Sequence, residues 1–115
     1  MRNLQVDKNI PEPEKALLAR CRQAVESVDP SAEVILYGSR ARGDARADSD
    51  YDLLILTDGA AGLSAEDKFR RRLYPIELET GAVLTVILSS RKDWHSPLYA
   101  AMPLYRNIRR EGIRL

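Results

Sequence analysis

The sequence predicts an α/β domain in which helices pack on a small sheet. Three observations carry that prediction. Three short apolar runs, at residues 34–37, 53–56 and 82–88, have the length of buried strands. Segments with apolar residues at helical spacing stand before and between them. Proline and glycine then punctuate the borders, giving the order αβαβαβα. With 115 residues, the chain suits one domain, residues 1–115, and is too short for two.

The elements follow in order. Residues 1–10 form a polar lead-in. Pro11 and Pro13 stand where a helix can begin, and Leu17, Leu18, Cys21, Val25 and Val28 make its apolar face. Arg20, Arg22, Gln23 and Glu26 fall on the other side, and Asp29-Pro30 ends the helix. Strands are expected at 33–37 and 51–57, with a turn and a short helix between them. Residues 58–62 read as a loop. Ser64 with Asp67 three residues on resembles a capping box for a helix reaching about Glu79, with Phe69, Leu73 and Ile76 inward. Pro75 is expected to kink or interrupt that helix, and Gly81 to stop it. Residues 82–88 are continuously apolar apart from Thr85, which predicts a central strand buried on both faces. Ser96-Pro97 and Met102-Pro103 each mark a helix start, and the second helix should stop near Gly112.

Bulk properties exclude several classes. The hydrophobic content of 44% and charged content of 30% are those of a globular protein. A net charge of +1 gives no global reason to expect a nucleic-acid partner. The single cysteine, Cys21, cannot form an internal disulfide and fits a reducing compartment. No apolar run would span a bilayer and no signal-peptide core is visible, so no membrane association and a cytoplasmic location are expected.

The chemistry concentrates in residues 38–52, Gly-Ser-Arg-Ala-Arg-Gly-Asp-Ala-Arg-Ala-Asp-Ser-Asp-Tyr-Asp. Gly38-Ser39 directly after a strand can turn sharply and aim backbone N–H groups at an anion. The Ser39 hydroxyl can hydrogen-bond a phosphate oxygen, and Arg40 and Arg42 supply positive charge. No Gly-Lys-Ser/Thr follows, so this is not a P-loop. Asp50 and Asp52 are two apart at the entrance of a strand and project to one face. Paired carboxylates beside a phosphate-binding turn suit a magnesium-nucleotide site. An EF-hand loop fails, because its sixth and twelfth positions would be Leu53 and Gly59. His95 lacks a positioned partner, and Arg70-Arg71-Arg72 reads as a solvated helix face.

Gly38-Ser39-Arg40-Ala41-Arg42-Gly43 followed by Asp48-Ser49-Asp50-Tyr51-Asp52-Leu53-Leu54-Ile55 resembles the signature of the DNA polymerase beta-like nucleotidyltransferases, and within them the minimal nucleotidyltransferase group. Residues 106–112, Arg-Asn-Ile-Arg-Arg-Glu-Gly, resemble the C-terminal helix of that group. The resemblance implies a mixed sheet flanked by helices and magnesium-dependent transfer of a nucleoside monophosphate from a nucleoside triphosphate. It implies that Gly38 and Ser39 hold the triphosphate, that Arg42 assists, and that Asp50 and Asp52 coordinate Mg2+. It further implies AMP transfer from ATP to a protein, by an antitoxin paired with a HEPN-domain toxin. The family's third carboxylate should align near Thr85, yet residues 82–92 contain no acid. Glu77 and Glu79 are expected on a helix surface or near its end. Absence of the third acid supports an alternative reading, a nucleotide-binding antitoxin or regulatory module with little turnover.

Overall fold

A computed structural model describes residues 1–115. One mixed sheet of five strands carries helices on both faces. Its strands are β1 (Arg2–Asn3), β2 (Glu33–Tyr37), β3 (Tyr51–Thr57), β4 (Leu84–Ser90) and β5 (Ile113–Arg114), in the spatial order β1-β5-β2-β3-β4. β2 is antiparallel to both β3 and β5, whereas β1–β5 and β3–β4 are parallel. The helices are α1 (Glu12–Val28), α2 (Ser39–Arg42), α3 (Leu63–Thr80), α4 (Arg91–Trp94), α5 (Pro97–Ala100) and α6 (Pro103–Glu111).

Period-two alternation divides the core into two layers. Val34 and Leu36 of β2 and Leu53 and Ile55 of β3 meet Leu18, Cys21 and Val25 of α1 and Phe69, Leu73 and Ile76 of α3. Ile35, Tyr37, Leu54 and Leu56 face the other way, onto Trp94, Tyr105 and Ile108. Burial holds the Cys21 thiol up at about 12, so it behaves as a small core hydrophobe. The expected inward faces of α1 and α3 are therefore the ones that pack. Pro97 and Pro103 begin helices as anticipated, and Gly112 follows the last residue of α6. No helix is long and apolar enough to cross a membrane.

Four expectations are corrected. The strand near residues 82–88 lies at the sheet edge, not the centre, and Thr85 is exposed. Leu84 and Val86 pack toward α3 and Ile87 toward the opposite layer. Helices cover both faces of this edge strand, so continuous apolarity reports covered faces and not a central position. Helix α3 begins after Gly62 with no side-chain cap, so the Ser64–Asp67 capping box does not form. Pro75 also does not interrupt that helix, which continues through it to Thr80. A proline in mid-helix costs one backbone bond, and the packing of Leu73 and Ile76 on either side holds the helix together. The polar lead-in is structural: Leu4 and Ile10 are buried, and Arg2 pairs with the buried Asp7 at 3.1 Å.

Strand β5 was not legible either, since two residues carry no periodicity. It depends on Gly112, where the chain passes from α6 straight into the sheet. A Cβ at Gly112 would lie 2.5 Å from the Ile108 carbonyl oxygen and 2.9 Å from Ile35 Cγ2. Gly112→Ala is expected to lower unfolding stability by about 1–3 kcal/mol, the cost of overpacking a core. Gly59→Ala, whose Cβ would meet only the Thr57 hydroxyl at an ordinary 3.8 Å, serves as the near-neutral control in the same denaturant titration.

Candidate active site

Strand register builds the site. Tyr37, the last residue of β2, pairs with Asp52 of β3, so the turn that follows β2 lies beside the entrance of β3. Gly38 adopts φ 76° and ψ −158°, a conformation that favours glycine. A Cβ there would sit 2.2 Å from Asp52 Oδ2, so the absent side chain is the space the carboxylate fills. Ser39 and Arg40 are the first two residues of α2. Their N–H groups have no partner within the helix and no side chain caps them.

Asp52 shares a sheet face with Leu54 and Leu56, and Asp50 precedes it by two residues. Thr85 is the register partner of Asp52 on β4, and its hydroxyl donates to Asp50 Oδ2 at 3.2 Å. Gly38, Ser39, Asp50, Asp52 and Thr85 thus gather at one end of β2–β3–β4. Burial raises the Asp52 pKa first and the Asp50 charge second, while Arg42 opposes them. Burial and then Asp52 push the Tyr37 phenol up to about 12. This corner is short of positive charge, and its donors are hard oxygens, so Asp50 and Asp52 fit a divalent cation such as magnesium. No group of three acidic or imidazole side chains is set to hold an ion.

The arginines of the motif are already engaged. Arg40 bonds Glu14 at 3.0 Å and the Ala47 and Ser49 carbonyls, and its guanidinium lies 4.3 Å from the Tyr51 ring centroid. Arg42 pairs with Asp44 at 3.2 Å and with Glu111 at 3.1 Å. Glu77 accepts from the Leu84 N–H at 3.0 Å, and Glu79 pairs with Arg20. Both glutamates thus have partners of their own, in keeping with a place on the helix surface or near its end. His95 lines a separate cavity of about 350 Å³ with Glu33 and Leu56, which stand at the other end of β2 and β3. Arg70 and Arg71 pair with Glu66 and Asp67 along the exposed side of α3.

One site residue escaped sequence reasoning. The Glu111 side chain, 10% exposed, accepts from the Gly38 N–H at 3.1 Å through Oε1 and from Arg42 through Oε2. The resemblance of residues 106–112 to a family helix pointed at the segment without indicating a role for its acid.

A glycine-serine turn at the end of one strand, facing paired aspartates at the entrance of its neighbour, is the arrangement of a nucleotidyltransferase. Residues 18–113 match the nucleotidyltransferase domain family, and the chain belongs to it. A solved structure described as a candidate minimal nucleotidyltransferase is similar over 88% of this chain and 94% of its own, at 27% identity and a TM-score of 0.56. The Cid1 poly(U) polymerase, solved with MgGTP bound, is similar over 64% of this chain and 21% of its own, at 29% identity and a TM-score of 0.42. A comparison with curated proteins gives no match.

The close approach at Gly38 makes a sharp prediction. Gly38→Ala should displace the Asp52 carboxylate and lower metal-dependent triphosphate affinity by about tenfold or more, the scale of one lost charge-assisted interaction. Calorimetry with and without magnesium measures it, and circular dichroism should show the fold retained. Unchanged affinity would remove Gly38 from the site.

Proposed function

We propose that this nucleotidyltransferase binds ATP with magnesium and transfers AMP to a protein, a HEPN-domain toxin whose antitoxin it is, in the cytoplasm. The observation that carries the nucleotide reading is the placement of Asp52 against Gly38, with Asp50 two residues before it at the same end of the sheet. The nature of the acceptor and the toxin pairing rest on the resemblance of the signature and of residues 106–112 to minimal nucleotidyltransferases. The structural similarity to a candidate minimal nucleotidyltransferase supports membership of that group, not the acceptor or the pairing.

Asp50 and Asp52 would hold the metal. When bound there, magnesium would neutralise triphosphate oxygens and favour the departure of pyrophosphate. The Ser39 hydroxyl and the free N–H groups of Ser39 and Arg40 would receive phosphate oxygens. An acceptor hydroxyl oxygen bonds to the α-phosphorus, the bond from that phosphorus to the bridging oxygen breaks, and pyrophosphate leaves. The acceptor's proton is lost to solvent or to a base that the partner contributes. Positioning and electrostatics supply most of the rate in such transfers.

Thr85 favours a second reading. It stands where a third carboxylate would complete the set, and its hydroxyl serves to orient Asp50. A binding module that retains the pocket with little turnover fits that substitution. Slow or partner-dependent transfer is therefore the expected outcome. Mass spectrometry of a purified HEPN-domain partner, after incubation with ATP and magnesium, measures it, with Thr85→Asp run in parallel. Faster transfer by Thr85→Asp supports the third-position assignment. Fast wild-type transfer abolished by Thr85→Asp overturns it. Intact partner binding without transfer by either protein favours the binding module.

A further inference from the structure

The end of α6 breaks a local rule. Glutamate is the last residue of the helix, where the helix dipole disfavours negative charge, and the preceding Arg109 and Arg110 follow the usual preference. Glu111 is also mostly buried, and its charge adds to the forces that raise the Asp52 pKa. Three unfavourable placements in one side chain call for an offset. The offset is visible in its two partners, the Gly38 N–H and the Arg42 guanidinium.

The backbone delivers Glu111 to this place by register. Leu36 of β2 pairs with Ile113 of β5, and continuing that antiparallel register by two residues brings Gly38 opposite Glu111. Gly112 leaves no room for any side chain at the junction, so α6 ends hard against β2. Arg2 bonds the Glu111 carbonyl at 3.2 Å and the Ala41 carbonyl of α2 as well. The α2 turn and the end of α6 are thus held together from both sides.

We infer that Glu111 is a positioning residue of the nucleotide site, fixing the Gly38–Ser39 turn and Arg42 so that the Ser39 and Arg40 donors face Asp50 and Asp52; this rests on the nucleotide-binding reading above. Glu111 occupies the Gly38 N–H itself, so that amide serves turn geometry and phosphate falls to the donors after it. The carboxylate also keeps the Arg42 guanidinium at the rim of the turn. Each oxygen of Glu111 accepts one of these bonds, Oε1 from the Gly38 N–H and Oε2 from Arg42.

The test is MgATP affinity by calorimetry for the wild type, Glu111→Ala, Glu111→Gln and Ile108→Val, each with its thermal midpoint. Glu111→Ala should lose about tenfold or more in affinity. Glu111→Gln keeps an acceptor for the Gly38 N–H and should recover most of it. Ile108→Val loosens the packing of α6 without touching the turn and should bind as the wild type does. If Glu111→Ala does not fold, Glu111→Asp, one methylene too short to span both partners, is read in its place. Equal or tighter binding by the Ala variant, or by Asp in its stead, overturns the inference, tighter binding meaning that the carboxylate competes with phosphate. Equal losses in Glu111→Ala, Glu111→Gln and Ile108→Val also overturn it, reducing Glu111 to a structural residue. Absence of MgATP binding by the wild type instead overturns the nucleotide-binding reading, and this inference with it.

Discussion

The register between β2 and β3 is the constraint on which the site depends. It sets Tyr37 against Asp52 and so places the turn at Gly38 within reach of a carboxylate. A slip of one residue would send Asp52 to the α1–α3 face and Leu53 toward the Gly38–Ser39 turn. The slip is opposed by four interior side chains of β3, Leu53 to Leu56, which alternate between two differently packed layers. The two-layer core thereby specifies the geometry of a polar site that contributes little to stability itself. Glycine at position 38 completes the arrangement, because the space of its missing side chain is the space Asp52 Oδ2 occupies.

Electrostatics divides the site into two regions. Arg40 and Arg42, the cations of α2, are tied to Glu14, Asp44 and Glu111. They stabilise the loop between β2 and β3, and the Asp52 pKa stays raised, by burial first and by the Asp50 charge second, with Arg42 opposing both. A cation bound between Asp50 and Asp52 would offset their charge, and a triphosphate would arrive with its own negative charge partly balanced. Under the proposed function, the fixed N–H groups of Ser39 and Arg40 would receive phosphate oxygens with no ordering cost on binding.

Much of this was legible in the sequence, because local rules and global fold agree over most of the chain. The apolar faces of α1 and α3 and the strand–turn–helix–strand segment around Gly38 all formed as their patterns indicate. The failures have specific causes. Pattern cannot separate a central strand from an edge strand covered by helices, so β4 was misplaced. Two-residue strands such as β1 and β5 have no period to detect, and their pairing is decided by the whole fold. Glu111 was invisible for the same reason: its partner lies 73 residues away and becomes a neighbour only through β5.

The anchoring of these residues bears on whether binding and turnover must survive together. Gly38, Ser39, Asp52 and Glu111 hang on β2, β3 and the α6–β5 junction, around the middle of the sheet. Thr85, where the resemblance would align a third acid, hangs on β4 alone, at the edge, where it is exposed and touches Asp50 through one hydroxyl. A change at Thr85 alters neither the β2–β3 register nor the turn at Gly38. Under the proposed function, the lack of an acid there removes one electrostatic contribution while the Ser39 and Arg40 donors and the Asp50–Asp52 pair keep their places. Under the proposed function, the fold separates nucleotide binding from activation of the acceptor, and a partner protein approaching the exposed edge at β4 meets the one position where the set is incomplete.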